Sequence, residues 1–369
     1  MSTIFYLDLK FFILIKPIGK AASYPLTQYL FPKAVKKRNL FSTLSCFFNQ
    51  PMLIFAYSGM GDKMKTVIMG AGAMGSLFGG LLTLSGEEVW LTDIWKDHID
   101  TIRSKGLTME ERGKAQTIHV NATTDAASLG KADLVLIFVK TYHTEKAVSD
   151  ALVLQDENTV FLTLQNGLGN EEAICKQVGR KKVVLGVTGQ GATLLGPGHI
   201  RHAGWGKTYL GELDGRMTDR VNQIARIFQK AGIETGVSSH IHDLVWEKLF
   251  VNAGLNALAA ITELKNGEIL DHPETLRLLE ALVSETVEVA KRKGIQIETS
   301  PMERVKAVIE ATRENRCSMG QDLDRKRRTE IDAINGAVVR EAERMGISVP
   351  YNQMISDLIK VIEKGFIQG

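Results

Sequence analysis

The segment Lys65-Thr-Val-Ile-Met-Gly-Ala-Gly-Ala-Met-Gly75 constrains this chain more than any other. An apolar run, Val67 to Met69, leads directly into Gly70-x-Gly72-x-x-Gly75, and an apolar segment with helical spacing, Ser76 to Leu84, follows. That order is strand, tight turn, helix. The first glycine permits the turn, the second lets backbone approach a pyrophosphate, and the third lets helix and strand pack closely. The start of such a helix offers free N–H groups and a positive dipole end to phosphates. The next apolar segment, Glu88-Val-Trp-Leu-Thr-Asp93, ends in an acid. A carboxylate there accepts hydrogen bonds from a ribose 2′-OH and repels a 2′-phosphate, although Lys96 lies three residues on. The expected dinucleotide contacts are therefore Gly70, Ala71, Gly72, Ala73, Met74, Gly75 and Asp93. Asp93 leans the cofactor toward NAD, with NADP kept as the alternative.

Downstream, Ala132 to Val139 and Thr159 to Leu164 are continuous apolar runs, as in parallel strands buried on both faces. Lys140 follows the first run, and Gln165-Asn166-Gly167 follows the second. Val183 to Val187 is a third. Ligands of open α/β sheets bind beyond the carboxyl ends of strands, so Gly70, Lys140 and Asn166 share one edge. Segments 106–109 and 117–120 read as a short hairpin. After Leu195, Gly196-Pro-Gly198 and Gly204-Trp-Gly206 punctuate short strands such as Thr208 to Gly211. From Asp219 the pattern is helical, with amphipathic stretches at 219–231, 242–262, 274–293, 301–314, 319–345 and 351–364. The expected fold is α/β: an N-terminal Rossmann domain over 64–238, then an all-helical domain over 239–369.

Residues 1–63 do not read like the rest. Residues 1–61 carry seven Lys or Arg and one acid, a net +6, so the remainder of a chain with formal charge +3 is −3. A mildly acidic body is not a nucleic-acid binder on bulk charge. Three readings of the extension stand open, a secretory signal, an organellar transit peptide, or translation from Met64 with the first strand at the terminus, and the last is the favoured one. The run Phe11 to Ile15 is too short to span a bilayer. The three cysteines, Cys46, Cys175 and Cys317, show no metal-ligand spacing, and a reducing compartment is the simpler reading. A cytoplasmic protein without metal, membrane or nucleic-acid partner is expected, with organellar targeting by residues 1–63 and a homodimer left open.

The chemistry concentrates in Val245 to Ile261. This mostly apolar helix is interrupted by Lys248, Asn252 and Asn256, spaced i, i+4, i+8 and so aligned on one face. Asn is a poor helix-interior residue, and an unpartnered buried amide is costly. The stripe therefore reads as a polar groove for a ligand. A second polar set is Ser318-Met-Gly-Gln-Asp322, then Arg327 to Asp332, with Glu330 ahead of an apolar stripe of Ile331, Ile334 and Val338.

These residues together resemble ketopantoate reductase (2-dehydropantoate 2-reductase). The motifs are Gly70 to Gly75, Lys140, Gln165-Asn-Gly167, Trp246-Glu-Lys-Leu-Phe-Val-Asn252 with Asn256, Asn266-Gly267, Ser318-Met319 and Thr329-Glu-Ile-Asp332, across roughly residues 64–364. The resemblance implies a Rossmann domain joined to a helical domain, as in 6-phosphogluconate dehydrogenase. It implies hydride transfer from NAD(P)H to the C2 ketone of a 2-oxo acid. Lys248 resembles the family's general acid, supported by Glu330. Asn252, Asn256, Asn266 and Ser318 resemble substrate contacts, and Asn166 resembles a residue shared by cofactor and substrate. Lys140 resembles a contact that organises cofactor and lysine. A reductase of another branched 2-oxo acid and a non-catalytic dinucleotide sensor are the alternatives.

Overall fold

A computed structural model of the chain describes residues 63–297 and 300–367. The readings of the N-terminal extension lie outside the described residues, Lys63 excepted. Lys63 onward forms one compact unit with two lobes. All ten described strands lie between Lys65 and Val237, and helices and turns follow.

The sheet is built from β1 (Lys65–Met69), β2 (Glu88–Thr92), β3 (Leu107–Glu111), β4 (Lys114–Ile118), β5 (Asn121–Thr123), β6 (Leu134–Ile137), β7 (Val160–Thr163), β8 (Val183–Gly196), β9 (His199–Glu212) and β10 (Thr235–Val237). Its order is β4-β3-β9-β8-β7-β6-β1-β2-β5, with β10 beside β9. The strands from β5 through β2, β1, β6 and β7 to β8 run parallel. Every residue of β6 and β7 is buried, which is why these strands read as unbroken apolar runs. Two apolar clusters cover the two faces of the sheet. Helices α1 (Ala73–Leu84), α2 (Lys96–Lys105), α3 (Thr144–Ala151), α4 (Asn170–Val178) and α5 (Asp219–Lys230) pack with it.

The expected short strands after Leu195 are instead one long antiparallel hairpin. The Gly204-Trp-Gly206 segment lies inside β9 rather than breaking it. Gly189 and Gly206 face each other closely, and the register shifts between Thr188 and Gln190. Glycine here serves close backbone contact beside a bulge, not chain reversal.

The second lobe comprises α6 (Ile241–Thr262), α7 (Glu268–Asp271), α8 (Pro273–Arg292), α9 (Pro301–Ala311), α10 (Ser318–Asp324), α11 (Asn335–Met345) and α12 (Pro350–Ile367). Proline opens α8, α9 and α12, where the missing N–H would have no partner in any case. Helix α6 is apolar nearly all round and packs at the centre of this lobe's core. Among the described residues it alone is long and apolar enough to cross a membrane, and it is mostly buried.

The expected continuous helix over 319–345 is broken between Asp324 and Asn335. The chain turns there, with Lys326 in the left-handed region at φ 52. The Asp322 carbonyl accepts from the Arg327 N–H at 2.8 Å, and the Thr329 N–H donates to Glu363 at 2.6 Å. The polar run from Asp324 to Arg328 has no apolar face to bury, so it leaves the helix.

Candidate active site

Gly70 adopts φ +100, a conformation that favours glycine, and a Cβ on Gly75 would lie 1.9 Å from the Gly70 carbonyl oxygen. These two positions fix the turn between β1 and α1. Around Gly72 there is open space, since a Cβ there would meet nothing within 4 Å. Helix α1 starts with no side-chain cap and no acid in its first turn. Its free N–H groups at Ala73 and Met74 fit a pyrophosphate, which would supply the missing cap. At the end of β2, one oxygen of Asp93 accepts from the Trp95 N–H at 2.9 Å, and the carboxylate is half-buried. Lys96, the basic residue nearby, pairs with Asp100 instead. The loop therefore fits a dinucleotide: glycine cradle, open helix end and a carboxylate for a ribose.

Asn166 lies just past β7, half-buried. Its carbonyl accepts from the Asn170 side chain at 3.0 Å, and the preceding Gln165 side chain donates to the Val139 carbonyl at 2.7 Å. Gly167 has φ +77, and a Cβ there would lie 2.3 Å from the Ala333 carbonyl oxygen. The Leu168 N–H donates to that same oxygen at 2.9 Å. The Asn-Gly pair thus seats the sheet edge against the helical lobe and holds Asn166 at the junction.

Lys140 and Glu330 are brought together. The Lys140 ammonium lies 2.6 Å from Asp322 and 3.4 Å from Glu330. The other oxygen of Glu330 accepts from the Thr141 N–H at 3.1 Å and from its hydroxyl at 2.9 Å. Burial alone would lower the pKa of Lys140, but the two carboxylates outweigh it and hold the ammonium well above its usual range. Burial pushes the Asp322 carboxyl up despite Lys140. The sequence motifs assign Asp322 no role. Its signal is a carboxylate four residues after Ser318, on the short helix α10.

Lys248 projects from α6, and its ammonium donates to the Thr188 carbonyl of β8 at 2.9 Å. Thr188 sits opposite Thr208 in the hairpin, just before the register shift. Burial drops the Lys248 pKa from 10.5 to about 8, and the Glu330 charge works in the opposite direction. The Glu330 carboxylate hydrogen-bonds Lys140 and Thr141, so its action on Lys248 is through space. Asn252 is half-buried and Asn256 buried. Neither side chain has a hydrogen-bond partner among the described residues, although the Asn256 carbonyl accepts from the Cys317 thiol at 3.3 Å. Ser318 is exposed at the first turn of α10, next to that thiol. Asn266 lies beyond the end of α6. Its amide donates to the Thr312 hydroxyl at 3.0 Å, and its buried carbonyl oxygen has no partner.

The arrangement offers a dinucleotide cradle, an ammonium that can give up a proton near neutral pH, and free amides along the same helix face. Among the described residues no cluster of side chains could hold a metal ion.

Comparison with known proteins gives the family. The family model described as ketopantoate reductase PanE/ApbA matches residues 66–215, and the model of its C-terminal part matches residues 240–363. The chain is 36% identical over 302 residues to 2-dehydropantoate 2-reductase of Halobacterium salinarum, covering 82% of this chain and 99% of that protein. Against the Pyrococcus horikoshii enzyme of the same name, identity is 38% over 301 residues, with 81% and 98% covered. The solved structure of D-mandelate dehydrogenase with NADH and anilino(oxo)acetate matches with TM-score 0.77 and 30% identity, covering 82% of this chain and all of that one. A PanE/ApbA family ketopantoate reductase from Ralstonia eutropha gives TM-score 0.77 and 31% identity over the same shares.

Proposed function

The chain belongs to the ketopantoate reductase family, and from that premise we propose that it reduces the C2 ketone of ketopantoate to pantoate with Lys248 as proton donor. The cofactor is a nicotinamide dinucleotide, and when bound it supplies the hydride. The protein supplies the rest. As C2 is reduced, negative charge grows on the carbonyl oxygen. The Lys248 ammonium neutralises that charge and donates its proton. The single observation behind this role is its lowered pKa of about 8 on a side chain steered by the Thr188 carbonyl. An acid with that pKa is protonated at neutral pH and still gives up its proton readily.

Asn252 and Asn256 present unpartnered amides along the same face, suited to the carboxylate and hydroxyl of a 2-oxo acid. A substrate lacking the matching groups would leave those amides unpaired. Ser318 and the orphaned Asn266 carbonyl would complete the substrate contacts, and Asn166 would face both ligands from the junction. Lys140 would organise the cleft through Asp322 and Glu330. Asp93 favours NADH over NADPH, because its carboxylate accepts from a ribose hydroxyl and repels a phosphate.

The match to D-mandelate dehydrogenase favours one second reading, a reductase for a 2-oxo acid with another bulky side chain. Turnover of ketopantoate and of phenylglyoxylate, each with NADH and NADPH, tests both. Reduction of ketopantoate at the higher kcat/KM supports the proposal. Reduction of phenylglyoxylate alone overturns the substrate, and no turnover with either overturns the reaction.

A further inference from the structure

His98 is fully buried behind the glycine loop, and no step of the mechanism uses it. It comes from the first turn of α2, five residues after Asp93. The Gly198 main-chain N–H, in the β8–β9 turn, donates to its Nδ1 at 3.0 Å. A main-chain N–H can only donate, so Nδ1 accepts. A neutral ring then carries its hydrogen on Nε2. Nε2 lies 3.3 Å from the Ser76 hydroxyl, which donates onward to the Ala71 carbonyl at 2.8 Å. The direction of every bond in this chain is therefore set, from Gly198 through His98 and Ser76 to Ala71. Ala71 is the second residue of the glycine loop. The Trp95 ring stacks on His98 with centroids 5.0 Å apart and planes at 14°, and the Trp95 N–H is the one held by Asp93. Burial lowers the ring's pKa, against a smaller opposing effect from Asp93, which suits a neutral ring.

We propose that His98, with its hydrogen on Nε2, is a positioning residue of the dinucleotide site, fixing the phosphate loop at Ala71 relative to the ribose-reading turn at Asp93 and Trp95. The two halves of the cofactor site lie on different elements, α1 and the turn before α2. His98 touches both, through Ser76 and through Trp95. A preformed distance between them lets a dinucleotide meet both ends without ordering the loop on binding. The inference rests on reading the glycine loop as the dinucleotide site.

Glutamine and asparagine separate the two arms of the ring. An Asn amide sits where Nδ1 is and can accept from Gly198. A Gln amide reaches the Nε2 position and can donate to Ser76. Dissociation constants of NADH and NADPH are measured by fluorescence for wild type, His98→Ala, His98→Asn and His98→Gln, each checked for its melting temperature. His98→Ala should weaken the better-bound cofactor about tenfold, the size of one lost buried hydrogen bond. His98→Gln should recover most of that loss, and His98→Asn should not. The KM for ketopantoate at saturating cofactor should stay unchanged in all three. In wild type, the ¹⁵N shifts of His98 should show the Nε2–H tautomer. Equal weakening in the Gln and Ala variants, unchanged affinity in a folded Ala variant, or an Nδ1–H tautomer would each overturn the proposal. Where the Ala variant does not fold, the Gln and Asn pair and the tautomer decide. A wild-type protein that binds neither dinucleotide would instead overturn the reading of the loop itself.

Discussion

Lys140 and Asp322 meet at 2.6 Å across the two lobes, one from the end of a sheet strand and the other from a short helix of the helical lobe. Glu330 approaches the same ammonium at 3.4 Å. Lys140→Met would leave two buried carboxylates facing each other. The Lys140 side chain keeps 35% of its exposure, so the cost is set below that of a fully buried pair, at about 1–3 kcal/mol. Urea unfolding at pH 7 should show that loss. It should shrink as the pH falls and Asp322, already pushed up by burial, takes a proton. An unchanged midpoint would mean that the pair contributes nothing to stability.

Lys248→Ala should keep the fold and the affinity for dinucleotide, because the cradle belongs to the other lobe. Turnover should drop by roughly 10²–10⁴, the usual range for a lost general acid. In wild type the acid must be protonated, so kcat should decline as pH rises through about 8. The folded-state pKa lies below the unfolded one, so the unfolded chain binds more protons between about 8 and 10.5. Stability should accordingly rise with pH across that window from this group. Wild-type hydride-transfer rates in Lys248→Ala would remove the lysine from the reaction.

Glu330→Gln removes the charge that holds the Lys248 pKa up. The alkaline limb of the rate profile should therefore move to lower pH in this variant. If Glu330 acts through Lys248, adding Glu330→Gln to Lys248→Ala should cost little more. Fully additive losses, measured by stopped-flow single turnover, would show that Glu330 serves the reaction by another route.

Asp93→Arg should reverse the cofactor preference toward NADPH. The comparison to make is the pair of dissociation constants in wild type and variant. Wild-type protein that binds NADPH ten times more tightly than NADH, a difference of about 1.4 kcal/mol, would refute the argument from the Asp93 carboxylate.

Much of this architecture was legible from periodicity. The buried strands β6 and β7 read as apolar runs because both their faces are covered. The Lys248, Asn252 and Asn256 stripe stood out because polar side chains interrupt an otherwise apolar helix. Three things were hidden for physical reasons. Thr188 contributes only a main-chain oxygen, which leaves no trace in residue type. Asp322 sits in a polar stretch that looked like the surface of a longer helix, until the break after Asp324 turned Glu330 back toward the same lysine. The length of the β8–β9 hairpin was obscured by its own glycines, which pack face to face inside the strands.

The anchor of Lys248 is a carbonyl that any amino acid at position 188 would provide, whereas the Lys140 clamp needs particular side chains from both halves of the molecule. The two dependencies respond differently to recombination. A chimera that joins this sheet domain to a relative's helical half would retain the lysine's anchor wherever the strand keeps its path. It would lose the clamp unless the incoming half brought its own carboxylates. The seam at Gly167 is stricter still: with 2.3 Å between a would-be methyl and the Ala333 oxygen, that half can dock only against a glycine.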